Sequence, residues 1–461
     1  MKEILGSSVL LVGYGLEGKS THQYLIKHHP EKKIGIADQQ ETIKPITDSK
    51  QVDLHLGKDY LQNIFHYDVI IKSAGVPLRL PELQKYLESG KRLTSATNIF
   101  FSECPGMVIG VTGTKGKSTT SSLISDILKE KYQDVRLVGN IGQPALDYLP
   151  GSDKNTIFVV ELSSYQLEDI RYSPHIAVLL TVFPEHLNYH GDLSKYIKAK
   201  GRIVRYQTTQ DIVIFNPSHK IVSSLASKTA AKKYRFSLYP QEEANCYLKE
   251  KDIFIQRKKG KAEFVIHRNE IPLLSEGNLE NTLAAISVGT LLDVPLEKIR
   301  EAVSEFKPLE HRLEFIGEYH GIRFFNDSLA TIPEATINAL KALGKNVETL
   351  IAGGYYRGID FSKLGKFLEK SQVKNLILFP PSGKRIWEEL VKASPENKPA
   401  IRKYYASSMK EAVQIAFQNT SNRKICLLSP ASPSFGLFRD YQERGELFKK
   451  SVQRIGGRII Y

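Results

Sequence analysis

The sequence predicts an α/β fold of three domains in series, each built around a mainly parallel sheet. Three observations carry this expectation. At 461 residues the chain exceeds one ordinary core, and about 150 residues per domain suggests roughly three. Apolar residues at 41% and charged residues at 25% are the balance of a globular protein. Short apolar runs that end in Gly, Ser, Asn or Asp alternate with helix-like segments in three successive stretches, 1–103, 104–308 and 309–461, which is the rhythm of strand–helix–strand units.

In the first stretch "SVLLVGYG", "KKIGIAD" and "YDVIIKSAG" read as strands buried on both faces, because their apolar runs are continuous rather than alternating. "EGKSTHQYLIKHH" is the first crossover helix. In the second, strands are expected in "MVIGV", "QDVRLVGNIG", "NTIFVVELSS", "HIAVLLTVF" and "DIVIFNP", with helices in "STTSSLISDILKEK" and "GNLENTLAAISVGTLL". The alternating runs "DIFIQ" and "EFVIH" predict a hairpin, with the lysines of "QRKKGKAEF" decorating its turn. In the third, "GIRFFNDS", "VETLIAGG", "VKNLILFP" and "RKICLLSPASPS" complete the set. Ligands of parallel sheets collect at the carboxyl ends of the strands. Those ends are polar and rich in Gly and Ser in all three stretches, which predicts a large site shared between domains.

Cys104, Cys246 and Cys426 are far apart and lack CxxC spacing, so neither a disulfide framework nor a zinc knuckle is expected. No run approaches the roughly 18 apolar residues of a membrane helix, and the apolar start of the chain passes into a Gly-containing turn without a cleavage site. A cytoplasmic monomer with no membrane partner is the expectation. The net charge of +14 admits nucleic acid or polyanionic small substrates. A nucleic-acid-stimulated ATPase is one reading of that charge, although no RNA- or DNA-binding motif accompanies it.

The loop "GVTGTKGKSTT" at 110–120 follows an apolar run and precedes a helix, the setting of a phosphate-binding loop. It lacks the first glycine of the usual spacing, since Val111 stands there. Backbone N–H groups at the helix start would face an anion, Gly113 and Gly116 let the backbone approach, Lys117 neutralises charge, and Ser118 or Thr119 offers magnesium a hydroxyl. "GYGLEGKS" at 13–20 is a GxGxxG after a strand, with Asp38 about 20 residues on, where a dinucleotide fold has its ribose-binding acid. A hydride-transfer dehydrogenase and a purely structural turn are both open readings of it. Glu161 in "ELSSYQLE" is a magnesium-binding carboxylate at a strand end, a helix cap or a surface charge. His186 in "FPEHLNYH" is a metal ligand or a loop histidine. Lys200 in "YIKAKGRIV" reads as an ordinary solvated helix lysine, no different from Lys195 or Lys198.

Taken together and in order, "VTGTKGKST", "GNIG", "ELSSYQLE", "HRLE", "NDSLAT", "AGGYYRGIDFS" and "LLSPASPSFGLFRDYQERG" resemble the Mur ligases over nearly the whole chain. That family's nucleotide loop is of a shorter type, which accounts for the missing glycine. The likeness is to the members that join D-glutamate to UDP-N-acetylmuramoyl-L-alanine, with ATP as the second substrate and ADP as product. It implies an N-terminal Rossmann-like domain for the UDP end, a central P-loop ATPase domain and a C-terminal Rossmann-like domain that brings in the amino acid. No NAD is then expected.

The resemblance also assigns residues. Gly113, Thr114, Lys115, Gly116, Lys117, Ser118 and Thr119, with Asn281, Arg312 and Asp327, match ATP contacts, and Lys117, Glu161, His186 and Lys200 match the catalytic set. Ser118, Glu161 and His186 match ligands of two magnesium ions. Lys200 matches a lysine that the family carbamylates with carbon dioxide, which makes it a further ligand. Gly15, Leu16, Asp38, Gly75 and Asn140 match contacts to the UDP substrate, while Thr331, Arg357, Ser434 and Tyr441 match positions that hold glutamate. The chain departs from the pattern at Leu329 and Arg357, where many members carry lysine, and at Glu17 and Gln40, where members often carry Thr and Arg. The first two departures leave L-glutamate or another amino acid open as the acceptor.

Overall fold

Each continuous apolar run forms a strand covered on both faces. The computed structural model describes residues 7–30, 32–46, 52–139, 144–240, 243–256, 260–273, 276–307, 310–356 and 358–457. The first sheet contains β1 (Val9–Val12), β2 (Ile34–Asp38), β3 (Val52–Leu56), β4 (Val69–Lys72) and β5 (Arg92–Ser95), in the order β3-β2-β1-β4-β5. All its pairings are parallel. The sequence reading missed β3 and β5, because "VDLHL" and "RLTS" are edge strands with polar residues set among the apolar ones. The chain runs outward to opposite sides of β1, and such a reversal opens a crevice at the carboxyl ends of β1 and β4.

The second sheet contains β6 (Met107–Thr112), β7 (Val135–Gly139), β8 (Ile157–Glu161), β9 (Ile176–Leu179), β10 (Ile212–Phe215), β11 (Lys232–Ser237), β12 (Cys246–Lys249), β13 (Asp252–Ile255) and β14 (Glu263–His267). Its order is β14-β13-β12-β11-β10-β9-β6-β8-β7. It is parallel from β7 across to β12, and antiparallel only through β12, β13 and β14. The last pair is the expected hairpin. On one face the helix Lys117–Lys129 packs against the helix Glu276–Leu291. Gly289 allows the close approach, since a Cβ there would press into Ile127 and Ile299.

The third sheet contains β15 (Glu314–Tyr319), β16 (Ile322–Asn326), β17 (Val347–Gly353), β18 (Asn375–Phe379), β19 (Arg402–Tyr405) and β20 (Ile425–Leu428), in the order β15-β16-β20-β17-β18-β19. Only β15 is antiparallel. Along β20, Ile425 and Leu427 enter one core while Cys426 and Leu428 enter the other. Burial on both faces is why the run "ICLL" shows no alternation. Met1–Phe306 forms one compact unit and Lys307–Tyr461 a second. Among the described residues no helix is long and apolar enough to cross a membrane.

Candidate active site

The nucleotide loop leaves β6 at Thr112 and enters the helix Lys117–Lys129, whose cap, Gly116, is left-handed at φ 85°. The loop is pinned from the neighbouring strand end. The Thr114 N–H donates to the Thr181 carbonyl (2.8 Å), the Phe183 N–H donates to Thr114 Oγ1 (3.0 Å), and Thr114 Oγ1 lies 2.8 Å from the Tyr196 hydroxyl. Lys117 folds back over the loop, its Nζ donating to the carbonyls of Gly113 (3.3 Å) and Thr114 (3.2 Å). Ser118 and Thr119 occupy the first turn of the helix, where backbone donors have no intrahelical partner. Lys115 makes an ion pair with Glu185 at 2.6 Å.

Glu161 ends β8, paired in register with Val111 of β6, and is buried at the base of the loop. His186 is exposed on the segment after β9, and desolvation together with Lys115, Lys117 and Lys200 lowers its pKa, against the pull of Glu185.

Lys200 corrects the sequence reading. It is 1% exposed, and its Nζ donates to the Gly113 carbonyl (2.7 Å) and approaches Thr112 Oγ1 (3.4 Å) and the Tyr196 ring (5.0 Å). Burial above all, then Lys117, holds its pKa well below that of an ordinary lysine. Lys195 and Lys198 are exposed. The signal was present in the sequence, because Tyr196, Ala199, Lys200, Ile203 and Val204 are the buried face of the helix Leu193–Arg205, an i, i+3, i+4, i+7, i+8 stripe with a lysine inside it.

Asn281 is buried against Gly116. Its neighbour Glu280, which the sequence reading passed over, gathers the segments that follow β9 and β10: it accepts from Asn216 Nδ2 (2.9 Å), Thr181 Oγ1 (3.2 Å) and His219 Nε2 (3.0 Å). That contact, more than anything else, raises the His219 pKa.

At the carboxyl ends of β1 and β4 lies a cleft of about 280 Å³, lined in part by Leu16, Glu17, Gly75, Thr97, Tyr165 and Gln166. Gly15 and Gly75 border open space, with nothing within 4 Å of a Cβ built on either. Asp38 does not line it; its carboxylate accepts the N–H groups of Tyr14 (2.6 Å) and Gln40 (2.9 Å). Asn140 and Arg357 lie outside the described residues.

In the C-terminal unit the ends of β16 and β20 meet. Asp327 is buried, accepting from Ser429 Oγ (2.8 Å) and the Leu313 N–H (3.2 Å), and burial pushes its carboxyl up to about 7 against the pull of Ser429 and Arg312. Arg444, fully buried and unforeseen, donates to the carbonyls of Ser328 (2.8 Å) and Ser432 (3.0 Å) and ties the two strand ends together. Ser434 is buried in the loop after β20. Thr331 is half-buried, and Tyr441 opens the helix Tyr441–Gly456. Leu329 is half-buried, with its N–H on the His311 carbonyl (3.0 Å).

Three stretches match known family domains: residues 7–95 the Mur ligase MurD-like N-terminal domain, 111–289 the Mur ligase middle domain, and 311–432 the Mur ligase glutamate ligase domain. The UDP-N-acetylmuramoylalanine--D-glutamate ligase of Caldicellulosiruptor bescii is 32% identical, over 98% of this chain and 99% of its own. The enzyme of that name from Clostridioides difficile is 34% identical, over 98% and 100%. The chain belongs to the Mur ligase family.

Solved Mur ligases share its fold. The UDP-N-acetylmuramate-alanine ligase MurC of Thermotoga maritima aligns with a TM-score of 0.58 at 16% identity, over 97% of this chain and 100% of its own. The MurF ligase of the same organism, solved in complex with ADP, aligns with a TM-score of 0.56 at 17% identity, over 98% and 97%.

Two expectations for this Mur ligase arise from the site itself. Gly116→Ala places a Cβ against the Asn281 amide at a backbone angle that L side chains avoid. Steady-state ATP turnover should show kcat/KM for ATP reduced by about 100-fold, roughly 2.7 kcal/mol, and a loss under threefold would mean that the loop tolerates the shift. Asp327 holds a proton more tightly folded than unfolded, so its contribution makes stability fall as pH rises from about 4 to about 7, by at most about 1.4 kcal/mol per pH unit. Melting curves of Asp327→Asn across that window should be flatter than those of the parent; parallel curves would show that the carboxyl titrates normally.

Proposed function

We propose that this chain is an ADP-forming ligase that joins D-glutamate to UDP-N-acetylmuramoyl-L-alanine through an acyl-phosphate. The carrying observation is a phosphate loop with Lys117 folded over it and a buried Lys200 beneath it, in a chain alike end to end to ligases of that name.

A carboxylate is a poor electrophile because oxide does not leave. Transfer of the γ-phosphoryl group of ATP to the substrate carboxylate provides a leaving group, and the glutamate amine then attacks the acyl carbon. The tetrahedral intermediate collapses to an amide and phosphate. The obstacle is repulsion between a triphosphate and a carboxylate, and fixed positive charge offsets it. Lys117 and the backbone donors of the first helical turn supply that charge. Lys115 is engaged by Glu185 and acts more weakly.

Magnesium, when bound with the nucleotide, supplies further charge neutralisation. The Ser118 hydroxyl and the buried Glu161 carboxylate are hard oxygen donors that suit it, with His186 as a ligand of a second ion. A lysine amine suits magnesium poorly. A carbamate, formed when the neutral Nζ of Lys200 attacks carbon dioxide and sheds a proton, turns it into an oxygen donor.

We assign residues 1–103 to the UDP end of the substrate, with Gly15, Leu16, Gly75 and Asn140 as contacts. Residues 104–308 are assigned to ATP chemistry. Residues 309–461 carry Arg312 and Asp327 for the nucleotide, and Thr331, Arg357, Ser434 and Tyr441 for the amino acid. An aliphatic Leu329 removes a cation that many relatives have, so handedness is tested directly. Purified protein given ATP and UDP-N-acetylmuramoyl-L-alanine should release phosphate with D-glutamate and at least tenfold more slowly with L-glutamate. The reverse preference would change the acceptor, and silence with both would end the ligase reading.

A further inference from the structure

The cleft at the carboxyl ends of β1 and β4 contains a charge arrangement that the assigned reaction does not explain. Its floor is the start of the helix Leu16–His28, whose first backbone donors have no intrahelical partner and form a site for an anion. Glu17 stands in that first turn and lines the cleft. Its Oε2 reaches across to accept the Ala74 N–H at 2.7 Å, so a carboxylate already occupies the mouth of an anion site.

The surrounding charges do not neutralise it. Lys72, at the end of β4, is fully buried and serves both Glu17 and Asp169. Asp169 is buried with one carboxylate oxygen, Oδ1, lacking a hydrogen-bond partner. Glu168 adds a third acid beside Asp169, held by the Leu78 N–H (3.1 Å) and the Tyr189 hydroxyl (3.0 Å). Tyr165 and Gln166 complete the side that faces Glu17. Among the described residues Lys72 is the cation set against Glu17 and Asp169, with Glu168 beside Asp169, before any ligand enters. A diphosphate at the helix start would add two further negative charges in a half-closed space, where repulsion is stronger than in water.

We propose that Glu17 makes this cleft a proton-linked diphosphate site, in which the UDP end of the substrate binds with uptake of one proton from solvent by the Glu17 carboxyl. The balance is carboxylate plus proton plus ligand giving a neutral carboxyl, whose O–H donates to a phosphate oxygen. The inference rests on the reading that this cleft takes the UDP end. Glu17 is chosen over Asp169 because Glu17 lines the cleft and Asp169 does not. The electrostatics agree: burial and Asp169 raise the Glu17 carboxyl above the ordinary range, against the Ala74 N–H and Lys72, and that holds before ligand charge is added.

Calorimetric titration of the full chain with UDP-N-acetylmuramoyl-L-alanine tests this. The two phosphates of that ligand are diesterified, its carboxyl ionises near about 3.5 and its uracil N–H only in alkali, so its own charge is constant from about pH 6 to about pH 8. Titrations in buffers of different ionisation enthalpy, near neutral pH, should report uptake approaching one proton. The dissociation constant should rise by up to tenfold per pH unit on the alkaline side. Glu17→Gln should take up none, show a nearly flat profile, and bind at least tenfold more tightly than the parent at alkaline pH. Asp169→Asn should keep the uptake. Unchanged ATP affinity in the variants shows that they are folded.

Wild-type binding without proton uptake, or equal uptake in Glu17→Gln, overturns the proposal and leaves the UDP assignment standing. If neither the substrate nor UDP binds at any pH, the assignment itself fails and the proposal goes with it.

Discussion

Replacing Lys117 by methionine is expected to slow phosphoryl transfer by about 10³-fold, close to 4 kcal/mol. Methionine keeps most of the aliphatic stem and removes only the charge, so the loop should remain folded. The magnitude follows from position. Lys117 Nζ rests on the carbonyls of Gly113 and Thr114, inside the loop, where the transferred phosphoryl group would replace those weak contacts with a charge-assisted one. Lys115 is the internal control. It is bound to Glu185 and partly exposed, so Lys115→Met should cost less than about tenfold, on the scale of a screened pair. Single-turnover assays of acyl-phosphate formation separate the two, and equal losses at both positions would remove Lys117 from its proposed role.

Much of the fold was legible because parallel sheets announce themselves. Runs such as "VLLV" and "ICLL" are continuous because both faces are covered, and each was placed correctly. The strands that escaped, β3, β5, β11, β12, β15 and β19, carry charged or polar residues within them, as in "KKYRFS" and "RKYY". Alternation there is set by neighbours distant in sequence.

The phosphate loop was legible for a local reason, since strand, glycines, Lys-Ser-Thr and helix are contiguous. Glu280 with His219 was not, because four elements up to 99 residues apart build that cluster. Arg444 escaped for the same reason: its partner Ser328 lies 116 residues away. Lys200 is a different kind of miss. Its burial was written in the apolar stripe of its own helix, and the presumption that lysine belongs in water overrode the periodicity.

That misplaced lysine yields the second large effect. An ammonium 1% exposed, with Lys117 and Lys115 disfavouring its charge, is costly to keep protonated. Its pKa is depressed in the folded chain, so the unmodified protein should gain stability with rising pH between that lowered value and about 10.5. Loss of the proton leaves the neutral amine, the form that adds carbon dioxide. A carbamate at this position would place a negative charge beside Lys117 and Lys115, which it would attract, and beside Glu185 and Glu161, whose repulsion a bound cation would have to offset.

Lys200→Met should accordingly be as stable as the parent freed of carbon dioxide, or more stable by about 1 kcal/mol, with a flatter pH profile, while turnover falls about 10³-fold. Removing carbon dioxide from the parent should lower its activity, and bicarbonate should restore it. Lys200→Ala should regain part of the loss with formate or acetate, which fit the vacated space and return a carboxylate. Lys200→Arg should not, since its guanidinium both fills the space and keeps its charge. Equal activity of the parent with and without bicarbonate, together with no rescue of Lys200→Ala, would leave Lys200 as a buried amine bound to the Gly113 carbonyl. Its contribution would then be confined to holding the loop, and Lys200→Met should lose stability and activity together.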